Sequence, residues 1–181
     1  MAVVARRFGA DVTLVTGPVR LDDPPFMKVE RVRSALEMGA AIAAAGENAD
    51  IMVMAAAVAD MRPAAVATQK IPKGELGKKI EVAPTNDILA GLGELKSCRL
   101  LVGFAAETDD IEAKAREKMR RKNLDAIVAN DVSRDDIGFD SDDNEVLVLF
   151  SDGAVVNIAK APKEAVAAAI WRAIAFKLPR A

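Results

Sequence analysis

The chain has 181 residues, 51% of them hydrophobic and 29% charged, with a formal net charge of -2 and a pI near 5.3. That is enough for one domain with its own core, and the charge balance argues against nucleic acid or an anionic membrane surface as the main partner. Histidine is absent, which removes the commonest general base and metal ligand and every histidine-containing triad, and the single cysteine, Cys98, can form no internal disulfide.

A reducing, cytoplasmic setting fits that cysteine usage best. The longest uninterrupted apolar run, residues 51–59, is too short to span a bilayer. Arg6 and Arg7 follow the first apolar residues, whereas a secretory signal carries its charges before them.

Residues 1–8 read as the end of a helix, with Gly9 as its stop. Strands follow at 11–15 and 27–32, separated by Gly17-Pro18 and Asp22-Asp23-Pro24-Pro25 turns. Ser34-Ala35-Leu36-Glu37 is a capping box that opens an Ala-rich helix ending near Gly46. The apolar run 51–56 predicts a buried strand. Residues 61–84 show no helical period, are rich in Pro, Gly and Lys, and suggest a flexible arm with a short strand at 79–82.

Thr85 or Asn86 can cap a helix to about Leu95, and 99–104 reads as a strand. Ile111, Ala115 and Met119 recur every four residues and predict a helix over 109–122. A strand at 126–129, a polar loop at 130–144 and a hairpin of 145–150 with 154–158 around Ser151-Asp152-Gly153 come next. Pro162 suits the first turn of a last helix reaching about Lys177. Strands alternating with helices imply an α/β fold, with a mostly parallel sheet covered on both faces.

The most informative segment is the end of the third strand. Met54, Ala55 and Ala56 carry small or flexible side chains and lead to Asp60, Arg62 and Pro63. Ligands of open α/β sheets bind beyond the carboxyl ends of the strands, where small residues let them approach the backbone. Asp60 can hold a ribose hydroxyl, a base edge or a metal–phosphate unit, and Lys70 on the arm can close over phosphates as a point charge. A plainer reading pairs Asp60 with Arg62 and leaves Lys70 solvated. Residues 101–108 repeat the design, and there Phe104 either stacks on a planar base or belongs to the core.

Lys114, Lys118 and Lys122 form one stripe at i, i+4 and i+8. It can reach anionic groups, although bases near a helix C-terminus are also what the helix dipole favours. Asp135, Asp136, Asp140, Asp142, Asp143 and Glu145 crowd one loop without the EF-hand spacing. An exposed acidic turn is the simpler account. Gly91-Leu92-Gly93 lies in a helical pattern and is no dinucleotide fingerprint.

Taken in order, Val12-Thr13-Leu14-Val15-Thr16-Gly17-Pro18, Ala56-Ala57-Val58-Ala59-Asp60, Lys70-Ile71, Asn86-Asp87-Ile88-Leu89, Gly103-Phe104-Ala105-Ala106-Glu107-Thr108, Lys122-Asn123-Leu124-Asp125, Asn130-Asp131-Val132-Ser133 and Gly138-Phe139-Asp140-Ser141-Asp142 resemble the phosphopantothenate–cysteine ligases, also called phosphopantothenoylcysteine synthetases. In bacteria these are usually the C-terminal half of a bifunctional coenzyme A biosynthesis protein. The resemblance covers nearly the whole chain.

It implies a single Rossmann-like three-layer α/β sandwich over 1–181, with a C-terminal β-hairpin, a mobile flap at 61–84 and a homodimeric state. It further implies joining of L-cysteine to 4'-phosphopantothenate with CTP, or alternatively ATP, and Mg²⁺. A phosphopantothenoylcysteine decarboxylase domain would accompany it in a full-length protein. On family positions, Met54, Ala55, Ala56, Asp60, Lys70, Asn86, Asp87, Ile88, Leu89, Phe104, Lys118 and Lys122 would contact the nucleotide. Lys70 is the catalytic candidate. Asn130 and Asp131 are candidates for the phosphopantothenate site, and the Mg²⁺ ligands are unassigned.

Family members begin this domain with a strand and a Gly/Ser/Asn-rich loop that carries a catalytic asparagine. Met1 aligns inside the helix after that loop, so a fragment or shortened gene product is expected, weak or inactive in catalysis and with an open sheet edge or gap. An inactive nucleotide-binding or dimerisation module is the alternative. A nicotinamide-dependent oxidoreductase is a further one, disfavoured by the missing fingerprint.

Overall fold

The computed structural model describes residues 1–72, 77, 79–96, 100–133 and 141–178. In chain order the elements are α1 (Ala2–Arg7), β1 (Thr13–Thr16), β2 (Lys28–Arg31), α2 (Ala35–Gly46), β3 (Ile51–Met54), β4 (Met61–Pro63), β5 (Val82–Pro84), α3 (Ile88–Leu95), β6 (Leu100–Glu107), α4 (Ile111–Arg121), β7 (Ala126–Asp131), β8 (Asp143–Phe150), β9 (Val155–Pro162) and α5 (Lys163–Ala175). Each element lies within a few residues of its expected place except β4, which the sequence reading left within the arm.

Local chemistry explains the ends. Gly9, at φ +89°, takes the left-handed position that closes α1. At α2, Ser34 Oγ accepts from the Glu37 N–H at 3.2 Å. The Glu37 carboxylate accepts from the Arg33 N–H at 2.7 Å, one residue before the cap itself. Helix α3 is capped by Asp87, whose Oδ1 accepts from the Ala90 N–H, and not by Thr85 or Asn86. Thr85 is engaged elsewhere, its N–H donating to Asp60 O at 2.8 Å. The arm strand sits at Val82–Pro84 and pairs antiparallel with Met61–Pro63, so the expected strand at 79–82 is displaced towards Pro84. This shift lets the Ala64 N–H donate to Glu81 O, while the Asp60–Thr85 bond closes the arm's base.

The main sheet has the order β3-β6-β7-β8-β9. Its first three strands are parallel, and β8 and β9 add antiparallel as the expected hairpin. Alternation along the central strands sends side chains to two cores. Leu101, Ala105, Ile127, Ala129 and Leu149 pack against Leu89 and Leu92 of α3 and Ala115 and Met119 of α4. Val102, Val128, Val148 and Phe150 pack against Val166, Ile170 and Ile174 of α5 on the other face. Both faces of β6 and β7 are therefore covered, which is why they read as apolar runs.

Asp125 fastens this centre. Its Oδ2 accepts from the Leu101 N–H and its Oδ1 from Lys96 Nζ, both at 2.8 Å. Its own N–H donates to Leu101 O, and its carbonyl accepts from the Ser151 N–H.

Strands β1 and β2 form a separate parallel pair, and among the described residues neither is bonded to the five-stranded sheet. Helix α2 lies across the interval, since Ile42 packs with both the Met38–Ala41–Val32 cluster and the α3 core. Two strands alone are marginal, so local opening should be easy there. We expect the hydrogen-bonded amides of β1 and β2 to exchange with deuterium at least ~10-fold faster than those of β6 and β7. Equal protection in exchange mass spectrometry would mean that the pair is integral to the main sheet.

Candidate functional site

β3 stops at Met54, in register with Gly103 of β6. Gly103 is buried, and a Cβ there would come within 2.7 Å of Leu124 Cδ1 and 3.0 Å of Leu89 Cδ2. Its missing side chain lets the start of α3 sit down on β6. Met54, Ile88 and Leu89 then pack in one core cluster. Ala55, Ala56 and Asp60 continue from β3 as exposed backbone, and the Asp60–Thr85 bond brings the chain back beside Asn86 and Asp87. The strand end, the arm's base and the N-terminus of α3 are thus neighbours.

The lysines of α4 meet this group from the side. Lys118 Nζ donates to the carbonyl of Phe104, the residue after Gly103, at 3.1 Å. Lys122 Nζ donates to Asp87 at 2.9 Å and is only 13% exposed at its side chain. Lys114, one turn earlier on the same stripe, pairs with Asp109. The stripe is therefore not wholly a solvated face, because Lys118 and Lys122 have partners on other segments, while Lys114 pairs at the surface with Asp109 just before its own helix. Burial lowers the pKa of Lys118, helped by the charges of Lys122 and Arg121 and opposed by Glu107 and Asp87. An anion arriving beside Lys118 and Lys122 would relieve their mutual repulsion.

Phe104 is half-buried and its ring packs against the α5 core, so the core alternative fits the ring while the main-chain carbonyl faces Lys118. Asp60 is exposed and makes no ion pair with Arg62, which donates instead to Pro63 O. Lys70 is exposed on the arm and has no hydrogen bond or ion pair with another described residue. Asn130 and Asp131 end β7 half-buried, and Asp131 Oδ1 accepts from the N–H and Oγ of Ser133. Cys98, Lys73 and the segment 134–140 with Asp135, Asp136, Gly138, Phe139 and Asp140 lie outside the described residues.

Two open recesses accompany these elements. One, of about 260 Å³, is lined by Glu107, Lys114, Glu117, Lys118 and Arg121 and adjoins the Lys118–Phe104 contact. The larger, of about 460 Å³, lies between α1 and α5 among Val4, Phe8, Ala165 and Ala168. It contains none of the expected residues, so the smaller one is the better match to the chemistry. Glu107 and Arg121 were not singled out from the sequence. They could have been found from their places at a strand end and one helical turn from Lys118.

The Asp87–Lys122 pair is a pH-dependent fastener. Burial works to raise the Asp87 pKa, but the Lys122 hydrogen bond, the Ala90 N–H and the charges of Lys122 and Arg121 together bring it below its ordinary value. A carboxyl depressed in the folded state adds stability that is complete above its unfolded pKa and is lost as pH falls through the folded one. Asparagine caps helices as well as aspartate does, so Asp87→Asn isolates the charge. Urea unfolding should show this variant less stable at pH 7 by up to ~1 kcal/mol, given the partial exposure of the pair. The difference should shrink as pH falls below the range of an ordinary carboxyl, and a deficit independent of pH would overturn the assignment.

Comparison with known proteins adds to this geometry. The model of the DNA/pantothenate metabolism flavoprotein C-terminal domain matches residues 1–177. The chain is 49% identical over 159 residues to the coenzyme A biosynthesis bifunctional protein CoaBC of Escherichia coli K12, covering 84% of this chain and 39% of that protein. The Bacillus subtilis CoaBC is 46% identical over 154 residues, covering 84% and 38%. The chain thus spans about two-fifths of the length of these relatives. A crystal structure of the C-terminal domain of CoaBC superposes with a TM-score of 0.80 at 38% identity, covering 97% of this chain and 78% of that one. The resemblance read from the ordered motifs and the α/β fold read from the alternating elements meet in one conclusion, that the chain belongs to the DNA/pantothenate metabolism flavoprotein C-terminal domain family.

Proposed function

We propose that this chain is the phosphopantothenate–cysteine ligase part of a coenzyme A biosynthesis protein. It would join L-cysteine to 4'-phosphopantothenate, with CTP as the nucleotide consumed and ATP as the alternative. The observation that carries the proposal is the convergence of Lys118 and Lys122 on the Phe104 carbonyl and the N-terminus of α3, beside the small-residue end of β3. That is where an α/β sheet takes a ligand, and the nearby cations suit a polyanionic one. The relatives, named as bifunctional proteins of coenzyme A biosynthesis, support the same reading.

The chemistry needs no enzyme nucleophile, which suits a chain without histidine. A carboxylate oxygen of 4'-phosphopantothenate attacks the α-phosphorus of CTP. The bond from that phosphorus to the bridging oxygen breaks and pyrophosphate leaves. The amine of cysteine then attacks the acyl carbon, the acyl–oxygen bond breaks, CMP departs and the amine loses a proton to solvent. What the protein contributes is position and charge neutralisation.

Met54 to Ala56, Asp60 and Asn86 to Leu89 would frame the base and ribose, with Lys118 and Lys122 at the nucleotide. Lys70 would come down on the phosphates from the arm, 61–84, acting as the flap. Asn130 and Asp131 would face phosphopantothenate. Mg²⁺ would enter with the triphosphate as part of the substrate. Among the described residues no group of three or more His, Cys, Asp or Glu side chains could hold a metal ion. A homodimer, a decarboxylase domain in the full-length protein and a cytoplasmic location belong to the same proposal. No helix among the described residues is long and apolar enough to cross a membrane.

Calorimetry with CTP, ATP and NAD tests the site. CTP should bind and NAD should not, while preferential binding of NAD would overturn the reading. Lys70→Gln tests the role of the arm. Single-turnover pyrophosphate release should fall ~100-fold, as when one transition-state donor is lost, with CTP affinity within ~3-fold of the parent. Unchanged turnover would remove Lys70 from the mechanism.

A further inference from the structure

The end of α4 is built in an unusual way for a position where glycine is cheapest. Leu124 N–H donates to Met119 O and Asn123 N–H to Arg120 O. This is the Schellman arrangement, with Asn123 left-handed at φ +51°. Glycine would take that conformation without steric cost. Asparagine adds a side-chain donor, and its Nδ2 donates to Gly93 O in α3 at 2.7 Å.

Gly93 is itself pressed against the same turn. A Cβ on it would lie 1.9 Å from Lys122 O and 2.9 Å from Lys122 C, so the two helices meet backbone to backbone. Lys122 is therefore held at two points along α3. Its main chain rests on Gly93, and its ammonium reaches Asp87, six residues nearer the N-terminus. Helical side chains lean towards the N-terminus of their own helix, so the lysine runs along α3 towards the strand ends. The reach closes only while the two helices keep their present offset, and the Asn123–Gly93 bond fixes that offset.

We propose that Asn123 is a positioning residue for the nucleotide site, with its amide bond to Gly93 holding the end of α4 so that Lys122 reaches Asp87 beneath the strand ends. The proposal rests on the reading of this region as a nucleotide site. It predicts that Asn123 contributes to nucleotide affinity without touching the ligand.

Two variants test it in the full chain. Asn123→Gly keeps the left-handed turn and removes only the amide. Asn123→Asp keeps the shape and turns the donor into an acceptor facing the Gly93 carbonyl. Two quantities are read for each, the CTP dissociation constant by calorimetry and the titration midpoint of the Asp87 carboxyl by carbon-13 NMR. Both variants should weaken CTP about fivefold, the equivalent of ~1 kcal/mol or one net hydrogen bond. Both should move the Asp87 midpoint up towards an ordinary carboxyl, because Lys122 no longer dwells beside it.

A purely structural role would lower thermal stability and leave the Asp87 midpoint in place, and that result overturns the proposal. So does an unchanged CTP affinity in a parent that binds CTP. If the parent binds no nucleotide, the reading of the site fails instead, and the NMR titration still decides whether Asn123 positions Lys122.

Discussion

Asp125 gathers four pieces of chain at one point. One carboxylate oxygen holds the start of β6 through Leu101, and the other holds the end of α3 through Lys96. The backbone of Asp125 ties in the start of β7 and the turn after β8. The register of β6 on β7 follows from this fastening, and both cores follow from the register, because each central strand sends alternate residues to opposite faces. The Leu101 main chain is buried, so removing the carboxylate would strand its N–H, a loss on the order of 1–3 kcal/mol. A slip of one residue would be far worse, exchanging Leu101 and Ile127 with Val102 and Val128 between cores of different shape.

The strand-end region depends on that frame through a short sequence. Lys122, Asn123, Leu124 and Asp125 are consecutive, and each does a different job. Lys122 reaches Asp87, Asn123 bonds Gly93, Leu124 fills the space left by Gly103, and Asp125 locks the strands. One turn of chain therefore sets the sheet register and the place of a cation near the proposed ligand-binding end. Substitutions in it cannot be read as local, since neighbours that share one seam are coupled.

Much of this was legible in the sequence. The buried strands announced themselves because parallel strands covered on both faces are continuously apolar, and the hairpin because Ser151-Asp152-Gly153 interrupts an alternating pattern. What stayed hidden was the choice among equals. Thr85, Asn86 and Asp87 are all good caps, and the tie is broken by distant partners, with Asp60 taking Thr85 and Lys122 taking Asp87. Lys118 and Lys122 looked like part of a solvated stripe because the acceptor of Lys122 is remote in sequence and that of Lys118 lies in the main chain of Phe104. The Gly93 contact was equally invisible. A glycine inside a helix reads as a defect until the backbone it admits is seen.

These two kinds of information bear differently on the proposed ligase. The ordered motifs say which residues gather, and the fold says which of them are already restrained before any ligand arrives. Lys122 and Lys118 are held by Asp87 and by a carbonyl, whereas Lys70 sits exposed on a two-stranded arm of three-residue strands. Restrained cations cost little further ordering when an anion binds beside them, whereas an exposed lysine on an arm must give up its freedom at that moment. On the proposed reading, ground-state nucleotide binding therefore falls to the α4 lysines. Lys70 is free to spend its interaction on charge that develops only as pyrophosphate leaves. On the same reading the arm, joined at its base by the Asp60–Thr85 bond next to the α3 cap, would deliver that charge without disturbing the Lys122 clamp.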